Sequence, residues 1–136
     1  MRFAWRRLRP GEPDAELIWL CVTVAGAGAA ILWLALKLPW PICTFRMWTG
    51  FPCVTCGATR SALALAHGDM ALAWRFNPLI FGAICAVIVF DLYAIAVLCT
   101  RAPRLRIALP SRNVRALLLI FAGAIGLLNW IYVLRQ

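Results

Sequence analysis

The sequence holds one histidine, His67, and five acidic side chains among 136 residues. That scarcity excludes much chemistry. There is no Ser/His/Asp set and no pair of neighbouring carboxylates for general acid–base work. There is no phosphate-binding loop and no dinucleotide fingerprint. Charged residues of either sign reach only 14%, while apolar residues make up 64%, against ~45–50% in a soluble domain. A chain of this length makes one domain, and one domain cannot hide that much apolar surface from water. The composition predicts an integral membrane protein.

The charge that is present is one-sided. The formal net charge is +9 and the pI about 10.3. The arginines collect at the ends of apolar runs, as orientation signals and headgroup contacts do. No motif supports nucleic-acid binding. The expected surroundings are a lipid bilayer and a membrane-protein partner or a second copy of the chain.

Three runs match the ~20 residues needed to cross the hydrocarbon core. They are 17–36, 78–99 and 116–134. The run after the basic N-terminal segment 1–16 is too long for a signal-peptide core, so it reads as a retained signal-anchor helix. Asn77 is a good N-cap with Pro78 in the first turn behind it. The third helix can start near Ser111 or Asn113, after Pro110. Stretch 58–76 carries Arg60, His67, Asp69 and Arg75 and is broken by Gly68–Asp69. As a fourth span it would leave only Asn77 to turn the chain, so two short helices, 58–67 and 69–76, are expected instead. They lie at the interface or form a re-entrant hairpin.

The fold expected is therefore an all-α membrane protein in a single domain, 1–136. Three transmembrane helices are joined by a cysteine loop (37–57), the short helices (58–76) and a basic loop (100–115). Arg2, Arg6, Arg7 and Arg9 before the first span, and Arg101, Arg104, Arg106, Arg112 and Arg115 before the third, put both regions in the cytoplasm. The cysteine loop and the C-terminus then lie outside the cell membrane, with Trp40, Trp48, Trp130 and Tyr132 near the outer boundary. A bacterial inner membrane is the expected location.

Six cysteines divide by place. Cys21, Cys85 and Cys99 sit in spans and read as small apolar packers. Cys43, Cys53 and Cys56 share the outer loop. Cys53 and Cys56 form a Cys-x-x-Cys pair, followed at once by Gly57 and, four residues after Cys56, by Arg60.

The segment from Pro39 to the middle of the second span resembles small bacterial membrane proteins grouped as domain of unknown function 2752. The resemblance rests on Cys43, Gly50, Cys53, Cys56, Gly57, Thr59, Arg60, Gly68, Asp69, Asn77 and Pro78. One position departs from the family pattern: Val54 stands where proline is usual, and proline would stiffen the turn. The resemblance implies no activity.

Three chemistries fit the cysteines. A Cys-x-x-Cys-Gly turn suits a zinc knuckle, with Cys43 as third ligand. On one continuous helix Cys56 and His67 would lie ~16 Å apart at 1.5 Å per residue. The histidine then cannot complete the site unless the chain folds back, which leaves water, Asp69 or another chain for the fourth position. An extracytoplasmic disulfide among Cys43, Cys53 and Cys56 is the second. The third is thiol–disulfide redox catalysis by Cys53 and Cys56, helped by a helix N-terminus and Arg60. The expectation is a non-enzymatic scaffold or accessory subunit with a structural cysteine loop. A membrane thiol oxidoreductase and a zinc-binding module are the alternatives.

Two further sets stand out. Arg60, His67, Asp69 and Arg75 form a polar group near the cysteines. Its arginines can face headgroups or hold an anion such as a lipid phosphate. Asp91 lies inside the second span, where a carboxylate needs a partner; Thr23, Tyr93 and Asn129 are candidates.

Overall fold

The structure, a computed structural model, describes residues 2–6, 12–39, 43–108 and 112–136. Arg7, Arg9, Trp40, Pro110 and Ser111 lie outside the described residues.

Among the described residues, three helices are long and apolar enough to cross a membrane: α1 (Ala15–Ala35), α5 (Pro78–Thr100) and α6 (Arg112–Leu134). Between α1 and α5 come α2 (Thr44–Thr49), α3 (Ala58–Ala66) and α4 (Met70–Phe76). The helical membrane fold and the two short helices after the cysteine loop are as the sequence predicts. The helix α2 and a short ribbon of β1 (Arg2–Arg6) with β2 (Arg104–Ala108) are additional. The ribbon is antiparallel, with Arg2 opposite Ala108 and Arg6 opposite Arg104.

Packing is inverted relative to a water-soluble domain. Large apolar side chains such as Leu17, Val24, Ile31, Leu119 and Leu128 lie exposed, while Ala64, Ala73 and Ala94 are buried. Helices in lipid gain little by hiding leucine, and small residues let backbones approach. Most fully buried polar side chains have hydrogen-bond partners, as a site without water demands.

The chain forms two compact units. One comprises 1–40 and 87–110, the other 41–86 and 111–136. In the first, α1 packs on the later part of α5 through an edge-to-face contact of Trp19 and Phe90, centroids 5.9 Å apart. Thr23 Oγ1 donates to Asp91 Oδ1 at 3.1 Å and also lies 3.0 Å from the Leu20 carbonyl. The intramembrane carboxylate is thus held by a neighbouring helix.

Asp14 starts α1 two residues before the expected boundary, accepting from the Leu17 N–H at 3.1 Å. Its other oxygen pairs with Arg104, whose guanidinium also lies 3.6 Å from Glu16. Arg104 and Glu16 are buried. Burial pushes the Asp14 carboxyl upward, but the Arg104 hydrogen bond, the Leu17 N–H and the guanidinium charge together outweigh it and leave the group below its ordinary value. This contact ties the ribbon to the start of α1.

In the second unit α3 and α4 form an antiparallel hairpin. Gly68, at φ 82°, ends α3 in a Schellman turn: its N–H reaches the Leu65 carbonyl at 2.9 Å, and Asp69 N–H reaches Ala64 at 2.9 Å. Asp69 then caps α4 through the Leu72 N–H at 2.9 Å. Buried Ser61 donates to the Ala73 carbonyl at 2.8 Å and locks the two helices together.

Arg104→Gln should lower the thermal midpoint in detergent, because it removes the cation paired with Asp14 and lying beside Glu16. A depressed carboxyl contributes stability that is present above its unfolded value and lost as pH falls through its folded one. The gap between wild type and R104Q should therefore be constant above about pH 5 and narrow below about pH 4. A gap that widens on acidification would contradict the pairing.

Candidate metal centre

Helix α2 ends at Gly50, in the left-handed region at φ 76°, and delivers the chain into the cysteine loop. The loop closes as a tight turn: Cys56 N–H donates to the Cys53 carbonyl at 3.0 Å and Ala58 N–H to Thr55 at 3.0 Å. Gly57 follows at φ 85°, and a Cβ placed there would sit 3.0 Å from the Phe76 carbonyl oxygen. Glycine is needed at 57 twice over, for the backbone angle and for the close approach of α4's end.

Three carbonyls of this loop receive side-chain donors from α6 and from the junction of α4 and α5. Asn77 is fully buried between those two helices. Its Nδ2 donates to Val54 at 3.0 Å and to Cys56 at 3.1 Å, while its Oδ1 caps α5 by accepting from the Ile80 N–H at 3.1 Å. Asn129 of α6 donates to the same Val54 carbonyl at 3.0 Å and accepts from the Leu79 N–H at 3.1 Å. The Trp130 indole donates to Pro52 at 2.8 Å. An irregular loop packed against helices cannot leave its carbonyls bare, and these side chains satisfy them. The clamp uses the carbonyl of residue 54, which valine and proline share, so Val54 leaves it intact.

The clamped loop brings three thiols together. The sulfurs of Cys43, Cys53 and Cys56 all lie within 4.8 Å of one another, and those of Cys43 and Cys53 are 3.3 Å apart. All three are free and half-buried. Thiolates sharing one tetrahedral zinc sit ~3.8 Å apart, given Zn–S bonds of ~2.3 Å, so small side-chain rotations suffice. The Thr55 hydroxyl, 3.4 Å from the Cys53 sulfur, holds that thiol below its ordinary value; burial opposes it, and Cys43, the Thr55 N–H and Cys56 add to it. Cys53 therefore gives up its proton more readily than an ordinary thiol, toward the form that binds metal.

The remaining residues singled out in the sequence divide. Asp69 is an α4 cap. His67 is exposed at the end of α3, its Nδ1 2.7 Å from the Leu63 carbonyl, and lies outside the three-sulfur cluster. Arg60 shares a pocket wall with Arg46 and Cys56, whereas Arg75 lines another with Arg135. The Arg75 carbonyl accepts from the Tyr132 hydroxyl at 3.2 Å and from Gln136. Asn129, a candidate partner for Asp91, has its amide engaged with Val54 and Leu79. Sequence reasoning missed Asn129 and Trp130 as clamps and saw Asn77 only as a cap. The available signal was three polar groups on apolar helices, each near the level of the cysteine loop.

Residues 43–90, from the first loop cysteine to the middle of α5, match the family model described as Protein of unknown function (DUF2752). The resemblance read from the motif holds over that segment, which contains all three thiols, Gly57 and Asn77. Asn129 and Trp130 lie beyond it. No curated protein and no solved structure matches the chain.

Asn77→Ala removes a donor from Cys56, one of two from Val54, and the α5 cap. It should destabilise the protein by about 2–4 kcal/mol, with ~1–3 from the unsatisfied carbonyl and ~1 from the cap. Unchanged melting and unchanged maleimide labelling of Cys56 would contradict the clamp. Thr55→Val should move the pH profile of Cys53 alkylation in metal-free protein to higher pH, since it removes the hydrogen bond that favours thiolate. An unmoved profile would show that the hydroxyl has no such role.

Proposed function

We propose that this is a bacterial inner-membrane scaffold module whose extracytoplasmic corner is a zinc site built by Cys43, Cys53 and Cys56. The observation that carries the reading is the convergence of all three sulfurs within 4.8 Å. A disulfide uses two sulfurs and gives no reason for a third to join them. Thiolates favour zinc among the common divalent ions, and zinc needs no redox partner. Neither His67 nor Asp69 joins the cluster, so the fourth position falls to water or to a group from outside this chain. The role is structural: the ion fastens the start of α2 to the turn before α3.

The orientation follows the arginine distribution. The N-terminal segment and the loop after α5 pair as β1 and β2 and therefore share a side, which agrees with a cytoplasmic assignment for both. The cysteine corner then faces outward. Met47, Trp48 and Phe51, exposed beside it, offer apolar surface to headgroups or to a membrane-protein partner.

The 3.3 Å approach of Cys43 to Cys53 favours one second reading, a structural disulfide between those two with Cys56 left as thiol. Native mass spectrometry of the full chain, purified without reductant or chelator, separates the two. The zinc site predicts about one zinc per chain, lost in each of Cys43→Ser, Cys53→Ser and Cys56→Ser, with thiol labelling blocked until chelation. A metal-free chain lighter by two hydrogens, with Cys56 labelled while Cys43 and Cys53 are not, would establish the disulfide instead.

A further inference from the structure

Beside the cysteine corner lies a pocket of about 380 Å³ whose wall includes Arg46 of α2, Gly57 and Arg60 at the start of α3, and Phe76, Val133 and Leu134. It falls within the ~300–1,000 Å³ range of small-ligand sites. Its charge is unbalanced. Among the described residues neither Arg46 nor Arg60 has an ion-pair partner. The only carboxylate side chain in 41–86 and 111–136 is Asp69, and it is engaged in capping α4. The first turn of α3 adds the positive end of a helix dipole to the same wall. Two arginines and a helix start therefore line one pocket, together with Gln136, and no acidic side chain shares its wall. Phe76, Val133 and Leu134 add apolar surface to the same wall.

We infer that this pocket binds a phosphate-bearing group, with Arg46 and Arg60 as its donors. Guanidinium forks match phosphate oxygens in geometry as well as charge. Phe76, Val133 and Leu134 suit the ester side of an amphiphile. The phosphate comes either from an anionic phospholipid headgroup or from a soluble phosphate. The inference rests on the arginines and the pocket and does not require a metal at the cysteines.

The test uses the full chain in phosphatidylcholine nanodiscs, titrated with short-chain phosphatidic acid and, separately, with inorganic phosphate. Zinc content and melting temperature are read on the same samples. R46Q and R60Q should each weaken phosphatidic acid binding by ~10-fold, and the double variant further, as expected for lost charge-assisted hydrogen bonds. R75Q/R135Q, which alters the neighbouring pocket, should bind as wild type does. Zinc content and melting should stay unchanged in all four. Failure of inorganic phosphate to compete assigns the site to a lipid headgroup; full competition assigns it to a soluble phosphate. Either result supports the phosphate site. Wild-type binding by R46Q/R60Q, or an equal loss in R75Q/R135Q, would overturn it. A wild-type chain without zinc that still shows the arginine-dependent binding would reject the metal reading and leave this one standing.

Discussion

The backbone carbonyls of Pro52, Val54 and Cys56 impose the constraint on which the cysteine-bearing unit depends. A tight, irregular turn has no ladder partners for its carbonyls. The chain meets the demand with Asn77, Asn129 and Trp130. Both asparagines work in two directions, donating to the loop through Nδ2 while Oδ1 accepts a backbone N–H from the start of α5. The loop, the start of α5 and the end of α6 are consequently one hydrogen-bonded assembly. The thiols do not have to organise the turn; the turn is already held, and the thiols are presented by it.

That order of dependence bears on function. An ion entering the proposed site would meet a frame already fixed by other bonds and would require little reorganisation to bind. The lowered Cys53 thiol, favoured first by Thr55, reduces the proton release that binding requires. The arginine-lined pocket shares Cys56 and Gly57 with the corner, so a ligand held there lies against the same turn. The cysteine corner and the arginine-lined pocket are adjacent parts of one hydrogen-bonded element.

What the sequence made legible was local. Run length and hydropathy marked the three spans because a span needs only its own residues to be apolar. Gly68–Asp69 marked the α3–α4 break because both cap signals are contiguous. The clamp was not legible in the same way. Asn129 meets Val54 across 75 positions and Trp130 meets Pro52 across 78, and side-chain to backbone bonds at that distance leave no periodic trace. Asn129 looked like a partner for Asp91 because both are polar residues in apolar helices; the choice among acceptors is made by packing. The ribbon was hidden likewise, since an arginine-rich segment paired with another reads simply as basic.

Zinc-edge X-ray absorption on the full chain, purified without added metal, tests the three-sulfur centre most directly. The prediction is one shell of about three sulfurs at ~2.3 Å, with a lighter oxygen or nitrogen ligand completing the tetrahedron. A zinc shell with no sulfur, or a chain that carries no zinc while its thiols remain reduced, would contradict it.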